Sequence, residues 1–150
     1  GVIIGRDCKN VSEAEAAQYI FGYTVVNDVS ARNLQTAHNQ WYFGKSLDGF
    51  TPMGPCILTA DEVAFPPALA ISSTVNGEKR QNSNTDHLIH SVAEIIAELT
   101  RGITLRAGTI IATGTPAGVG MGFTPPQFLK KGDVVTCEIE GIGALTNTVE

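Results

Sequence analysis

The pattern of apolar and polar residues along the chain predicts more strands than helices. Short runs rich in β-branched and aromatic residues recur, and most are bounded by glycine, proline or asparagine, which is typical of strands in a half-buried sheet. The predicted strands are residues 2–4, 23–26, 56–59, 69–75, 78–81, 109–112, 134–139 and 144–149.

Two helices interrupt this strand pattern. An S-x-x-E capping box at Ser12 predicts a helix through about Ile20, and a second box at Ser91 begins another. The second helix has apolar residues spaced three and four apart along one face, and Gly102 follows its end. These apolar residues are Val92, Ile95, Ile96 and Leu99.

Hairpin signals connect several of the predicted strands. Asn76-Gly77 favours a two-residue turn between strands 69–75 and 78–81, and residues 140–143 separate the last two strands. Because hairpins outnumber β-α-β alternation, we expect an α+β fold that is mostly β, with antiparallel sheets and two packed helices. The length of 150 residues indicates one domain, residues 1–150.

Composition and charge exclude several classes of protein. Hydrophobic residues make up 43% of the chain and the net charge is −5, which excludes a disordered polymer. The basic residues form no stripe, so we expect no nucleic-acid partner. No apolar run is long enough to span a membrane, and no signal peptide is recognisable. Three widely spaced cysteines indicate free thiols, so we expect a cytoplasmic location, or the mitochondrial matrix in a eukaryote.

Three familiar chemistries fail on their own requirements. Gly44-Lys45-Ser46 resembles the end of a phosphate-binding loop, but Asn39 stands where that loop needs its first glycine. The glycines of residues 118–122 lead into Phe-Thr-Pro-Pro and not into the helix that a dinucleotide site needs. His87 and His90 have no further zinc ligands nearby in the sequence, so we interpret them as capping or surface residues.

A polar cluster after strand 23–26 offers more specific chemistry. Asp28 comes directly after the strand, and Arg32, Gln35 and Lys45 follow it. A carboxylate there suits a hard divalent cation, while arginine and lysine suit an anionic substrate. From residue types alone, a capping aspartate beside a solvated arginine is the favoured interpretation.

The order of several motifs resembles the C-terminal catalytic region of the fumarylacetoacetate hydrolase family. The similarity extends over essentially the whole chain, and independent blocks agree in their order. The blocks are G-Y-T-V-V-N-D-V-S-A-R (22–32), Q-W (40–41), G-K-S-L-D (44–48), V-N-G-E (75–78), R-Q (80–81), I-A-T-G-T-P-A-G-V-G (111–120), G-D (132–133) and E-G-I-G (140–143).

This resemblance implies a mixed β-roll with flanking helices, assembled as a homodimer. It implies a Mg²⁺ enzyme, with Mn²⁺ or Ca²⁺ as substitutes, that acts on small anionic β-dicarbonyl acids. By position it makes Asp28 a metal ligand and Lys45 the catalytic lysine. It places Arg32 and Gln35 on the substrate side and Thr115 against the substrate carboxylate.

The chain also departs from the family pattern. Two further metal ligands, a Glu-x-Glu pair, precede the first strand in the family and are absent here, so we expect a domain that lacks its N-terminal part. The family's Ala-Arg-Asp reads Ala31-Arg32-Asn33, and we expect Arg32 to be held less firmly as a result.

The leading hypothesis is a metal-dependent hydrolase that cleaves a carbon–carbon bond in acylpyruvate-like or fumarylacetoacetate-like acids. The alternatives are a decarboxylase or isomerase of oxaloacetate or related dioic acids, or a relative that binds a ligand without catalysis. A purely structural β-domain is the third possibility, and it predicts no cleft near Asp28, Lys45 and Thr115.

Overall fold

Two four-stranded antiparallel sheets form the body of the computed structural model, which describes residues 1–37 and 39–150. The strands are β1 (Val2–Ile4), β2 (Ile20–Val26), β3 (Met53–Thr59), β4 (Ala70–Val75), β5 (Glu78–Asn84), β6 (Ile110–Ile111), β7 (Val134–Ile139) and β8 (Gly143–Thr148). The α-helices are α1 (Arg32–Ala37) and α2 (Val92–Thr100). The 3-10 turns are Glu13–Tyr19, Phe43–Lys45, Ala60–Glu62, Thr85–His87 and Gly120–Gly122.

The first sheet has the strand order β3-β2-β1-β6. Val2 pairs with Tyr23 on one side and with Ile111 on the other, so β1 is a central strand. All three residues of β1 are buried, which explains its uninterrupted apolar sequence.

The second sheet has the order β5-β4-β7-β8 and includes two hairpins. Asn76 and Gly77 have φ angles of 51° and 80°, and this left-handed backbone joins β4 to β5 as the Asn-Gly dipeptide predicted. The other hairpin joins β7 to β8. Both hairpin predictions are confirmed.

The apolar core of the described residues lies between the sheets and α2. Ile4, Val25 and Ile96 are almost completely buried and belong to one cluster with Ile139 of the second sheet. The capping box at Ser91 is present, and the first residue of α2, Val92, is buried. The predicted apolar face of this helix is therefore the face that packs on the core.

Several sequence-based predictions of the type, existence or bounds of an element are wrong. The segment after Ser12 keeps its capping box but forms a 3-10 helix, because Ile20 enters β2 at once and donates its N–H to Ala17, three residues back. Helix α1 was not predicted, since it is short and its one buried residue, Gln35, is polar. The strand expected over residues 109–112 contains only Ile110–Ile111.

The register of strand pairing shifts at one position in β2 and at one position in β4. In β2 the pairing shifts between Tyr23 and Val25, just before the strand ends. In β4 it shifts between Ser73, which pairs with Gln81, and Thr74, which pairs with Lys79. Arg80 is therefore the extra residue of a β-bulge, and bulges redirect side chains next to functional sites.

The fold class is confirmed, since the described residues are mostly strands in antiparallel sheets with few helices. No helix in the described part of the chain is both long and apolar enough to cross a bilayer.

Candidate active site

A cleft of about 1380 Å³ is lined by residues of both sheets and of the loops between their strands. All the site residues predicted from the sequence line it: Asp28, Arg32, Gln35, Lys45 and Thr115. A purely structural β-domain predicts no cleft at these residues, whereas the structure has one.

Asp28 lies in a tight turn directly after β2. The N–H of Asn27 donates to the carbonyl of Pro52 at 3.0 Å, which extends the pairing of β2 with the chain before β3 by one residue. The N–H of Val29 then donates back to the carbonyl of Asn27 at 2.9 Å, so Asp28 is the central residue of a three-residue turn. This turn ends the strand and presents the Asp28 carboxylate, which is 43% exposed, to the cleft.

Helix α1 carries Arg32 and Gln35 on one face, since they are three residues apart. Nη1 of Arg32 donates to Oε1 of Gln35 at 2.7 Å, and Gln35 is only 4% exposed. A buried amide therefore holds the guanidinium at the cleft. Asn33 does not take part in this contact. The sequence analysis considered only residue 33 as a partner that holds Arg32, whereas in the structure Gln35 holds it.

Gly44 allows the loop that carries Lys45 to approach α1 closely. A Cβ atom on Gly44 would lie 2.5 Å from the backbone nitrogen of Gln35, and the carbonyl of Gly44 accepts the N–H of Ala31 at 2.8 Å. The short 3-10 turn Phe43–Lys45 then directs the lysine toward the cleft. Only glycine fits at this contact.

Lys45 forms an ion pair with Asp28 and a hydrogen bond with Ser30. Its Nζ contacts Oδ2 of Asp28 and donates to Oγ of Ser30 at 3.1 Å, while the Ser30 hydroxyl donates to the carbonyl of Asp28 at 3.1 Å. An ammonium group has three donors, so one N–H of Lys45 is left for a ligand in the cleft. Ser30 was not singled out from the sequence, although it belongs to the polar cluster noted there.

Thr115 reaches the cleft from the loop after β6. Gly118 in this loop has φ of +111°, and a Cβ there would lie 2.0 Å from the carbonyl oxygen of Arg80. Nε2 of Gln81 donates to Oγ1 of Thr115 at 2.7 Å and to the carbonyl of Pro116 at 2.8 Å. The loop that carries Thr115 is therefore held by a side chain of the second sheet.

Gln81, like Ser30, was not assigned to the site from the sequence. Simple alternation along β5 places Arg80 and Gln81 on opposite faces. The β-bulge at Arg80 lets both contact the chain that follows β6, since Arg80 also donates to the side chain of Gln127. A β-bulge leaves no signal in the amino-acid sequence. The only indication of Gln81 was therefore that it belongs to the R-Q block of the family resemblance.

Buried groups in the cleft lining are not poised as nucleophiles. Burial raises the pKa of the Tyr23 hydroxyl and of the Cys137 thiol above their ordinary values. Both groups therefore stay protonated near neutral pH, and a thiol is a weak nucleophile in that state.

The donors in the described residues do not make up a magnesium site by themselves. Residues 1–37 and 39–150 contain no group of three or more His, Cys, Asp and Glu side chains that could hold a metal ion. The Asp28 carboxylate is also occupied by Lys45. Mg²⁺ requires near-octahedral oxygen coordination, and one carboxylate with a bound ammonium does not supply it.

Comparison with known proteins identifies the family. Its model, described as fumarylacetoacetate (FAA) hydrolase C-terminal, matches residues 1–150. Oxaloacetate tautomerase YisK from Bacillus subtilis is 47% identical over 148 residues, which cover 99% of this chain and 49% of that protein.

Solved structures agree with this match. A fumarylacetoacetate hydrolase from psychrophilic Exiguobacterium antarcticum superposes with a TM-score of 0.96 at 48% identity, covering 99% of this chain and 53% of that one. A 2-hydroxyhepta-2,4-diene-1,7-dioate isomerase from Mycobacterium marinum gives 0.88 at 44% identity, covering 99% and 55%. The chain spans about half the length of the relatives it matches. In sequence and in fold, the chain belongs to the fumarylacetoacetate hydrolase family.

Proposed function

We propose that the intact protein is an enzyme that isomerises oxaloacetate or a related small dioic 2-oxo acid through an enolate. The observation that carries this proposal is the arrangement of Lys45 and Arg32, two cationic side chains from neighbouring segments, on one cleft. An enolate intermediate needs such groups, because its oxygen becomes negative while the carboxylates of the acid stay anionic.

Lys45 is the residue we assign to the reacting oxygen. Two of its three donors are used by Asp28 and Ser30, so the ammonium is held in place before the substrate arrives. Its remaining N–H can donate to the keto oxygen of the acid, and this hydrogen bond strengthens as the oxygen becomes an enolate.

Arg32 and Thr115 are the residues we assign to the carboxylates of the acid. A guanidinium group can form two parallel hydrogen bonds with a carboxylate, and Gln35 occupies only Nη1 of Arg32. The hydroxyl of Thr115 provides a neutral donor from the other side of the cleft. These contacts give the site its preference for small acids with more than one anionic group.

The names of the relatives favour isomerisation, whereas the leading hypothesis from the sequence was hydrolysis. One relative is named an oxaloacetate tautomerase and another a dioate isomerase, which agrees with the alternative hypothesis. Cleavage of a carbon–carbon bond is the second candidate, since a neighbour with a TM-score of 0.96 is named a fumarylacetoacetate hydrolase. Both reactions, and decarboxylation, pass through an enolate that the same lysine can stabilise.

Dependence on Mg²⁺, or on Mn²⁺ or Ca²⁺, is part of this proposal for the intact protein. Asp28 is the residue of this chain that we assign to such an ion, on the strength of its position in the family motif. The donors in the described residues are too few to form the site alone, so the assignment requires further carboxylates from elsewhere in the intact protein.

A homodimer in the cytoplasm completes the proposal. Support for dimerisation comes from the outer face of the first sheet, where Met53, Ile57 and Ile110 surround a shallow depression and are 40% to 48% exposed. Exposed apolar patches of this kind are typical of surfaces that bind other protein chains.

A substrate panel tests the proposed reaction. Full-length protein is mixed with the enol form of oxaloacetate, with acetylpyruvate and with fumarylpyruvate, each in the presence of Mg²⁺ and of a chelator. We expect faster loss of the enol ultraviolet absorbance of oxaloacetate with Mg²⁺, and loss of that acceleration with chelator. Rapid cleavage of acetylpyruvate without any effect on the oxaloacetate enol would contradict isomerisation and support the hydrolase.

A further inference from the structure

Three side chains form a continuous hydrogen-bonded chain from the second sheet to the cleft. The hydroxyl of Ser73 in β4 donates to Oε1 of Gln81 in β5 at 2.8 Å. Nε2 of Gln81 then donates to Oγ1 of Thr115 at 2.7 Å. Ser73 is 7% exposed, so this chain begins inside the protein and ends at an exposed hydroxyl.

The orientation of the Gln81 amide follows from the carbonyl of Pro116. This carbonyl lies 2.8 Å from the amide and can only accept a hydrogen bond. If the amide were reversed, its oxygen would face another oxygen at this distance. The nitrogen must therefore point toward Pro116, and its second hydrogen points at Thr115.

This orientation determines the direction of the proton on Thr115. Because Oγ1 of Thr115 accepts from Gln81, the hydroxyl hydrogen must point away from Gln81. Within residues 1–37 and 39–150, this hydroxyl donates to no other protein group. Its hydrogen is therefore free to face a ligand in the cleft that Thr115 lines.

We propose that Ser73 and Gln81 are positioning residues that make Thr115 an obligatory hydrogen-bond donor to an anionic group of the substrate. This inference rests on the proposed function and deepens it by stating which way the hydroxyl points. A hydroxyl that could also accept would tolerate neutral ligands with a donor of their own. A hydroxyl fixed as a donor selects for carboxylates and for enolate oxygens.

The substitution Gln81→Glu replaces the hydrogen-bond donor that faces Thr115 by an acceptor, with little change in the shape of the side chain. An ionised carboxylate only accepts, so the Thr115 hydroxyl would turn inward and present lone pairs to the substrate. Losing a hydrogen bond to a charged group raises KM by about 10- to 100-fold. We expect kcat to change by only a few-fold, because this contact binds the substrate and the transition state alike.

The pH dependence of KM distinguishes a change in the orientation of the Thr115 hydroxyl from a general structural disturbance by the substitution. The carbonyl of Pro116 and partial burial will raise the pKa of a carboxyl at position 81 above its usual range. As the pH falls through that value, the introduced carboxyl regains one hydrogen where the amide has two, so KM of Gln81→Glu should fall part of the way toward that of the unaltered enzyme. Asn82→Asp adds the same charge at the next, exposed position and should change KM little.

Variants of Thr115 distinguish an effect that acts through the Thr115 hydroxyl from direct repulsion between the introduced carboxylate and the substrate. Thr115→Val removes the hydroxyl, and Thr115→Ser keeps it on an exposed side chain where unfolding is not a concern. We expect Thr115→Val to raise KM about 10- to 100-fold and Thr115→Ser to leave it nearly unchanged. In the Thr115→Val background, Gln81→Glu should then add almost nothing.

The test is steady-state kinetics of these variants in the full-length enzyme with oxaloacetate, from pH 5 to 8. A KM for Gln81→Glu that is unchanged, or that rises equally in the Thr115→Val background, would overturn the proposal. The same conclusion would follow if Thr115→Val kept its KM. A full-length enzyme without any turnover of oxaloacetate would instead contradict the proposed function, and this inference with it.

Discussion

The two sides of the cleft hold their functional groups by different means. On the side formed by residues 27–37 and 39–45, which we call the charged side, Asp28, Arg32 and Lys45 are held mainly by contacts to one another and to their near neighbours. On the side of Thr115, which we call the neutral side, the contacts run to Gln81 and Ser73 in the second sheet.

This difference separates two tasks. Lys45 on the charged side is held by Asp28 and Ser30, so that its ammonium group can stabilise the charge that develops on a bound acid. The neutral donor on the opposite side is fixed to paired strands, so it can position the substrate before any reaction occurs. We infer that Lys45 on the charged side governs turnover, and that the neutral side contributes to substrate binding together with Arg32.

The largest effects that test this comparison are expected for two close-approach glycines, Gly44 on the charged side and Gly118 on the neutral side. Gly118→Ala adds a methyl group to a left-handed residue against the Arg80 carbonyl, and we expect a loss of about 3 kcal/mol in unfolding free energy. Gly44→Ala brings a methyl group against the backbone of Gln35 in α1 and displaces the loop that carries Lys45, with a loss of about 1–2 kcal/mol and a much lower kcat. Chemical denaturation and kinetics of the full-length variants measure both.

Gly102→Ala is the matched control for both glycine substitutions. A Cβ atom on Gly102 would have no heavy atom within 4 Å, and this residue has no left-handed φ, so the change should be nearly neutral. Equal destabilisation by Gly44→Ala and Gly118→Ala would show that the two sides are held equally firmly, against the comparison.

A smaller effect concerns Asp133, at the end of the second sheet. The side chain of Asn76 and the N–H of Lys130 hydrogen-bond this carboxylate and lower its pKa. A carboxyl whose pKa is lowered by folding stabilises the protein above its unfolded pKa, and this contribution is lost as the pH falls through the folded value. Asp133→Asn should therefore lower Tm at pH 7 by about 1–2 °C.

The pH profile of Tm checks this expectation. The difference between Asp133→Asn and the unaltered protein should shrink as the pH falls below the usual range for aspartate. Asp48→Asn, at an exposed aspartate, should show no such trend. A difference that stays constant down to about pH 3, below the ordinary aspartate pKa, would contradict the assigned role of Asp133.

Sequence reasoning predicted the parts of the fold that depend on local signals. The Asn76-Gly77 turn and the capped, periodic helix from Ser91 require only neighbouring residues, and both are confirmed. Helix α1 was missed because it has no apolar stripe and is stabilised by contacts such as that of Gly44 with Gln35. Long-range packing of this kind is invisible in the local pattern.

The same distinction applies to the candidate site. Asp28, Arg32, Gln35 and Lys45 belong to one short stretch, so a polar cluster and the family motif marked them together. Their roles stay predictions, although all of them line the cleft. Gln81 escaped notice because its contact with Thr115 depends on a bulge in β5 and on the pairing of two distant segments.

The most direct test of the account is kcat of Lys45→Met in the full-length enzyme, with oxaloacetate as substrate. Lys131→Met, at an exposed lysine outside the cleft lining, is the matched control. Removing a donor that stabilises the developing enolate should lower kcat by about 100- to 1,000-fold, while the control keeps its turnover. A Lys45→Met enzyme that turns over as fast as the Lys131→Met control would contradict the central claim.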